Sequence, residues 1–286
     1  MTALDVFRRL EAVVGISGRP HNLFDVIEEE LIKSFGLPPI QAAEKAQQLE
    51  RKVVTIIEKN RADAEVAGTI STIVISGDND RAICGSCWIE SFDGPDVQAA
   101  KKRRLQIEPV LRAIQGLNFA QFERFGAAVL KELGAKTVKV TPHSNDQGID
   151  FFGVLSIADL GVVPEPFLQM TRDVTIRFAG QAKHYPMAAL GPSVIRELIG
   201  AITLARHKIR ASPRDPFEEL HLLALHPLLG MVFTTGRFTG GALKLAQNAG
   251  LIARSGEQLS VFLADRGVGY VAGNFSDEEF RRWLET

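Results

Sequence analysis

The chain has 286 residues, of which 45% are hydrophobic and 23% are charged, and its formal net charge is −1. That length and apolar content fit one large domain or two domains of ordinary size, each with its own core. The near-neutral charge excludes the global basic excess that marks many nucleic-acid-binding proteins. Any phosphate-binding cations must therefore be gathered on one surface.

The N-terminal segment predicts an amphipathic helix and not a secretory signal, because acidic and arginine residues interrupt its apolar pattern. No apolar run approaches the length that crosses a membrane. We therefore expect a cytoplasmic protein with no membrane partner.

Hydrophobic spacing and turn residues predict three helices and then a hairpin in the first part of the chain. The helices are predicted at 2–14, 22–35 and about 40–60, and the strands at 69–76 and 81–92. Pro38-Pro39 opens the third helix, and the turn from Gly77 to Asp80 joins the two strands. Together these elements predict an N-terminal α+β domain.

A winged helix is one alternative for this domain. Its third helix would lie in the major groove of DNA, and residues 69–90 would form the wing. The cations of that helix would then face the phosphates: Lys45, Arg51, Lys52 and Lys59. The other alternative is an unrelated small domain, because amphipathic helices with a hairpin occur in many such domains.

Cys84 and Cys87 form a C-x-x-C motif in the predicted hairpin. A zinc site needs two more ligands, and the sequence has no second C-x-x-C or H-x3-H motif. A thioredoxin-type motif would lie at a strand-to-helix turn and not within a β run. We interpret both cysteines as structural.

A basic run at Lys101–Arg104 follows the break at Asp93-Gly94-Pro95. It is interpreted either as a phosphate contact or as a solvated linker. We place a domain boundary just after it, with an N-terminal target-recognition or accessory domain at 1–105 and a catalytic domain at 106–286.

The second part of the chain predicts a mixed α/β sandwich, in which the second and third strands are adjacent and a crossover leads to the last strand. The predicted order is helix 119–133, strand 136–141, turn-rich segment 143–150, strand 151–157, strand 173–183, helix 193–207, strand 230–236, helix 239–249 and a final β-like run at 251–263.

Three polar residues lie at the ends of two of these apolar strands. Asp150 enters one strand, and Gln181 and Lys183 share a face at the end of the next. If the strands pair, a carboxylate, an amide oxygen and an ammonium converge. Oxygen ligands suit Mg²⁺, and a lysine can position or deprotonate an attacking water while the metal stabilises charge on a phosphodiester. Each motif alone also fits a turn aspartate or a solvated strand face.

From Phe119 to about Leu263 the chain resembles the Mrr-like restriction endonuclease branch of the PD-(D/E)XK nuclease superfamily. Five blocks match in order: FERF at 122–125 with the LKELG that follows, SNDQGIDFFG at 144–153, QAKHY at 181–185, GPSVIRELIGAI at 191–202 and VFTTGRFTGGALKLAQNAGL at 232–251. The resemblance implies a restriction-endonuclease-like mixed sheet sandwiched by helices.

The resemblance also implies roles for individual residues. Asp150 would be the metal-binding aspartate, and Lys183 the catalytic lysine. Gln181 would be a metal ligand, at a position where most of the superfamily has Glu or Asp. Glu123 would support the metal directly or through water. Ile149 departs from the superfamily's Pro-Asp pair.

Three further expectations concern the surroundings of this motif. The long gap between Asp150 and Gln181 implies an insertion around 159–173. Glu197, on the helix after Q-x-K, is either a replacement for the missing acidic ligand or a surface glutamate. His184 points away from Lys183 and is expected to pack or to contact a phosphate.

The resemblance implies an Mg²⁺-dependent DNA endonuclease, with Mn²⁺ as a substitute, that acts in restriction of foreign DNA, including modified DNA, as a type II or type IV enzyme. Its partner would be double-stranded DNA, and a homodimer is expected because cutting both strands needs two active sites. Two alternatives stay open: a repair or junction-processing nuclease, and a DNA-binding protein with a degenerate nuclease fold.

Overall fold

The computed structural model describes residues 2–141, 148–161, 163–209, 220, 222–223 and 225–286. Of the predicted turn-rich segment at 143–150, residues 143–147 lie outside the described residues. Two compact units divide the chain: Met1–Val110 with Ser260–Ser276, and Leu111–Leu259 with Asp277–Thr286. The sequence-based boundary at residue 105 stays a prediction. Within the described ranges, no helix has the length and apolar content needed to cross a membrane.

The first unit begins with a helix, a short strand, two helices and a hairpin. These elements are α1 (Ala3–Val14), β1 (His21–Asn22), α2 (Leu23–Lys33), α3 (Pro39–Ala67), β2 (Ile73–Ile75) and β3 (Ala82–Gly85). The strands form an antiparallel sheet in the order β1-β3-β2. This connectivity and strand order are those of a winged helix, which agrees with that alternative.

Helix α3 is longer than its apolar pattern predicted. It ends at Gly68, which has a φ of 69° and takes the left-handed conformation that closes many helices. No glycine or proline interrupts residues 61–67, so the helix continues through this polar stretch. The three helices bury one core between them, with Leu10, Ile27 and Val53 at its centre.

The basic run at 101–104 lies in helix α4 (Pro95–Arg104), so the solvated-linker interpretation is wrong. Pro95 lies in the first turn of this helix, where proline is tolerated because its missing N–H would have no intrahelical partner. Lys101 Nζ donates to Asp93 Oδ2 at 2.7 Å, and the guanidinium of Arg104 donates twice to the carboxylate of Asp265. These cations are therefore engaged within the first unit.

The remaining elements follow in chain order. They are α5 (Ile107–Gln115), α6 (Phe119–Glu132), β4 (Thr137–Val140), β5 (Phe151–Ser156), α7 (Glu165–Thr171), β6 (Thr175–Lys183), β7 (Ala189–Leu190), α8 (Pro192–Arg206), β8 (Leu228–Thr234), β9 (Arg237–Phe238), α9 (Gly240–Asn248), β10 (Ile252–Arg254), α10 (Gly256–Arg266), β11 (Tyr270–Val271), β12 (Asn274–Phe275) and α11 (Asp277–Glu285). Helix α7 and a 3-10 turn at Ile157–Asp159 lie in the predicted insertion.

The described part of the second unit contains a five-stranded mixed sheet in the order β10-β8-β6-β5-β4. Strands β4, β5 and β6 are antiparallel neighbours, and β6, β8 and β10 are parallel. Phe151 packs against Gly126 of α6, and Phe152 joins the cluster that contains Leu198 of α8. Consecutive strand residues face opposite sides, so helices cover both faces. The predicted sandwich fold is confirmed.

The β-like run predicted at 251–263 is wrong in its second half, which forms α10. Ser255 N donates to Gln258 Oε1 at 2.7 Å, and Gln258 N donates to Ser255 Oγ at 3.3 Å. This reciprocal capping box begins a helix. Leu259 and Leu263 then lie one turn apart and are both buried.

The ring of Phe151 occupies the space in which Gly180 would carry a side chain. We expect Gly180→Ala to lower the free energy of unfolding by about 1–3 kcal/mol, because an added methyl overpacks a filled core. The matched control is Gly200→Ala in α8, where no atom lies within 4 Å of the new Cβ. That variant should gain up to about 1 kcal/mol from helix propensity. Urea unfolding measures both, and equal stabilities would contradict the packing account.

Candidate active site

The chain has an extra residue where Asp150 enters β5. Phe151 is paired with Gly180 in the β5–β6 ladder, yet Asp150 N also donates to the carbonyl oxygen of Gly180 at 2.8 Å. Two consecutive residues opposite one partner form a β-bulge, which bends the strand and re-aims a side chain. The alternation of β5 therefore does not extend to Asp150.

The carboxylate of Asp150 is tied directly to the Q-x-K motif. Its residue is only 8% exposed, and Oδ2 accepts a hydrogen bond from the backbone N of Ala182 at 2.7 Å. Ala182 is the middle residue of the motif, between Gln181 and Lys183. The predicted pairing of these two strands is confirmed, and it brings the aspartate and the motif together.

Gln181 supplies a buried oxygen that none of the described residues hydrogen-bonds. The residue is 3% exposed, and Oε1 has no hydrogen-bond partner among the described residues. Its Nε2 lies beside Gly148, whose φ of 84° belongs to the left-handed region. An unpartnered buried carbonyl oxygen destabilises a fold, so its retention favours a functional role.

Lys183 shares a strand face with Gln181, because the two residues are two apart on β6. Both are paired regularly with β8, Lys183 with Thr234 and Gln181 with Val232. Its Nζ lies 3.6 Å from Oε2 of Glu197 on α8. The carboxylate is more than half exposed, so this ion pair adds little stability. Glu197 therefore lies beside the ammonium without holding it strongly. Its role as a replacement ligand stays a prediction.

Glu123 lies in the N-terminal half of α6 and is partly buried. The preceding residue, Phe122, contacts the imidazole of His184, with ring centroids 6.2 Å apart. This part of the helix therefore lies at the same end of β6 as Lys183. The role of Glu123 in supporting a metal stays a prediction.

His184 packs as its position after Lys183 predicted. Phe119 meets its ring edge-on, with centroids 5.3 Å apart, and Phe122 lies beside it. Burial lowers the pKa of His184, so the imidazole is neutral near pH 7. A neutral imidazole in contact with two aromatic rings is suited to a packing role.

Two threonines at this end of the sheet were not predicted from the sequence. Thr141 N donates to the carbonyl oxygen of Asp150 at 2.9 Å, and Thr235 N donates to that of Lys183 at 3.4 Å. Both hydroxyl oxygens are buried without a partner among the described residues, as is Nδ1 of His184. Of five such atoms in the described part of the chain, four lie at this end, counting Gln181. Such a concentration is typical of a functional site.

The donors at this site are oxygen atoms. The carboxylate of Asp150 and the unpartnered amide oxygen of Gln181 fit a hard divalent cation such as Mg²⁺ or Mn²⁺. No group of three or more His, Cys, Asp or Glu in the described ranges is placed to hold a metal ion. A cation here would therefore depend on Gln181 and on water as well as on Asp150.

Cys84 and Cys87 lie in the first unit, where both are buried and free. Burial raises the pKa of the Cys84 thiol to about 11, which leaves it protonated near pH 7. These properties fit the structural interpretation of the C-x-x-C motif.

Residues 114–211 match the family model Mrr_cat, which is described as a restriction endonuclease. The predicted family resemblance is confirmed. The matched range contains all four predicted site residues: Glu123, Asp150, Gln181 and Lys183.

Two solved structures are similar to the chain. The MspJI restriction endonuclease in complex with a 27-mer oligonucleotide is 18% identical with a TM-score of 0.39, and the match covers 70% of this chain and 40% of that one. The DNA modification-dependent restriction endonuclease AspBHI is also 18% identical with a TM-score of 0.39, over 73% of this chain and 46% of that one. The chain thus spans less than half of each. No curated protein matches the chain.

Gln181→Met removes the unpartnered oxygen and preserves the side-chain length. Without divalent metal, we expect its free energy of unfolding to stay equal or rise by up to about 2 kcal/mol, because a buried unsatisfied acceptor is removed. The control is Gln98→Met, since Nε2 of Gln98 donates to the carbonyl oxygen of Asp93 at 2.8 Å. The free energy of unfolding of Gln98→Met should fall by about 1 kcal/mol. If thermal unfolding shows an equal fall for Gln181→Met, the Gln181 amide is a structural group.

Proposed function

We propose that the chain is an Mg²⁺-dependent endodeoxyribonuclease that hydrolyses phosphodiester bonds in double-stranded DNA during restriction of foreign DNA. One observation carries the proposal: the buried carboxylate of Asp150 is hydrogen-bonded to the backbone of Q-x-K, beside a buried amide oxygen without a described partner. The match of residues 114–211 to a restriction endonuclease family supports the same chemistry.

Asp150 and Gln181 would hold the cation, and Glu123 would support it directly or through water. When bound, the cation supplies charge stabilisation at the phosphate and lowers the pKa of a coordinated water. The hydrogen bond from Ala182 N holds one carboxylate oxygen of Asp150 in place. Burial of the carboxylate and the amide lowers the local dielectric and strengthens their electrostatic interactions with a charged group.

Lys183 places a positive charge at the rim of the site. Its ammonium orients the attacking water and offsets negative charge on the phosphoryl oxygens as it develops. The exposed carboxylate of Glu197 lies 3.6 Å from this ammonium.

The first unit would select the target DNA. In a winged helix the third helix enters the major groove, and Arg51, Lys52 and Lys59 are exposed on α3. The hairpin turn carries Asp78 and Asp80, which repel phosphates. The helix is therefore the proposed reading element, and modified bases in foreign DNA are its proposed target. A homodimer on DNA would supply the two active sites for a double-strand cut.

Plasmid cleavage tests this function. The protein should convert methylated or unmethylated supercoiled plasmid to linear product in Mg²⁺ or Mn²⁺, and a chelator should abolish the reaction, because the oxygen donors suit those cations. Lys183→Ala should lower the cleavage rate by at least about 100-fold and leave DNA binding largely intact, since the lysine acts mainly on the transition state.

The matched control is Lys136→Ala. Lys136 is an exposed lysine of the same unit, paired with Asp159 at 2.8 Å, and it should cut like the wild type. Cleavage by Lys183→Ala at the wild-type rate would refute the active-site assignment. DNA binding without metal-dependent cutting in the wild type would instead favour a degenerate nuclease fold.

A further inference from the structure

A turn that begins two residues after Lys183 projects apolar side chains into solvent. Met187 is 95% exposed, and Tyr185 is about half exposed. Single exposed apolar residues are common on protein surfaces. This pair differs because it lies on one tight turn beside the candidate active site. We call residues 185–188 the apolar turn.

The apolar turn is a hydrogen-bonded β-turn. The backbone N of Ala188 donates to the carbonyl oxygen of Tyr185 at 3.3 Å, which closes a β-turn with Pro186 at its second position and Met187 at its third. Proline fixes φ at that position. Met187 is therefore presented on a preformed backbone, and binding through it would cost little conformational entropy.

The connection between β8 and β9 packs against the apolar turn. Gly236 lies so close that a Cβ on it would overlap the carbonyl oxygens of Tyr185 and Ala188. The next residue of the chain, Ala189, pairs with Arg237 where β7 meets β9. Backbone therefore packs closely against the first and last residues of the apolar turn.

Positive charge flanks the apolar turn on both sides. Lys183 precedes it by two residues, and Arg237 is exposed on the strand that pairs with its C-terminal end. Cations on either side of an apolar tip suit a DNA groove, whose edges are phosphates and whose floor is stacked bases. Four residues of extended chain span at most about 14 Å, so the backbone of Met187 lies within about 14 Å of that of Lys183.

We propose that Met187 is a wedge that inserts between base pairs beside the scissile phosphate of double-stranded DNA. The inserted side chain unstacks one base step and fixes the register of the backbone on Lys183. Apolar side chains, methionine among them, act in this way in DNA-bending proteins. The inference rests on the proposed function of the second unit as a DNA nuclease.

The test compares four full-length proteins on duplexes that carry 2-aminopurine beside the mapped cleavage position. Met187→Ala should cut intact duplex about tenfold more slowly, because the apolar contact is lost. Met187→Leu should restore most of the rate. Met170→Ala, the control, alters another methionine that is 81% exposed on α7 and should match the wild type. The wild type and Met187→Leu should raise 2-aminopurine fluorescence on binding in Ca²⁺, and Met187→Ala should not.

A second substrate separates a wedge from a general surface effect. In a duplex with a mismatch at the same step, unstacking the bases costs less free energy, so Met187→Ala should regain at least half of the wild-type rate. Equal defects on intact and mismatched duplex would overturn the wedge. So would a Met187→Ala rate equal to that of Met170→Ala. All four proteins should have the same melting temperature, because neither methionine packs in a core.

Sedimentation of the DNA-free proteins tests whether the apolar turn binds another copy of the chain instead of DNA. Dissociation of an oligomer by Met187→Ala would assign the apolar turn to a contact between copies of the chain and overturn the proposal. If the wild type cuts DNA with no change in fluorescence, the wedge alone fails. If the wild type neither cuts nor opens DNA, the proposed function and the wedge fail together.

Discussion

The hydrogen bond from the Ala182 amide to the Asp150 carboxylate is the contact on which the candidate site depends. A carboxylate that is 8% exposed needs a donor, because burial without one is costly. The bulge at Asp150 provides for this by bringing the side chain to the Ala182 N–H. The same bond fixes the aspartate relative to Gln181 and Lys183, which flank that amide.

The site combines features that destabilise a fold with a tightly packed support beneath them. Gln181, Thr141 and Thr235 bury polar atoms that find no partner among the described residues. Under them, Phe151 fills the space left by two glycines, Gly126 and Gly180, and stacks on Phe233. Proteins commonly break local rules at functional sites and offset the loss by packing elsewhere. The packed core around Phe151 therefore offsets the cost of leaving these polar atoms available for a ligand.

Much of this architecture was predictable from short-range patterns. The apolar spacing of Leu10 and Val14 predicted α1, and the apolar runs around Asp150 and Gln181 predicted the paired strands of the site. Residues 260–276 could not be placed in this way, because their contacts with Arg103 and Arg104 join positions about 160 apart in sequence. Helix α10 was missed because the Ser255–Gln258 capping box was not recognised within a β-like apolar run.

Within the candidate site, the face that a residue occupies was easier to predict than its contacts. Gln181 and Lys183 share a face because they are two apart on a strand, and sequence spacing predicts that directly. The bulge at Asp150 has no sequence signal, since it depends on which carbonyl oxygen its N–H meets across the ladder. The ion pair of Lys183 with Glu197 likewise depends on how α8 packs on the sheet.

The most direct test of the site is the position of bound Mn²⁺ in crystals of the protein, read from anomalous diffraction. One strong peak is expected about 2.1 Å from a carboxylate oxygen of Asp150 and from Oε1 of Gln181. The peak should be absent from crystals of Asp150→Asn grown in the same way. A peak at Cys84 and Cys87, or none near Asp150 in the wild type, would contradict the account.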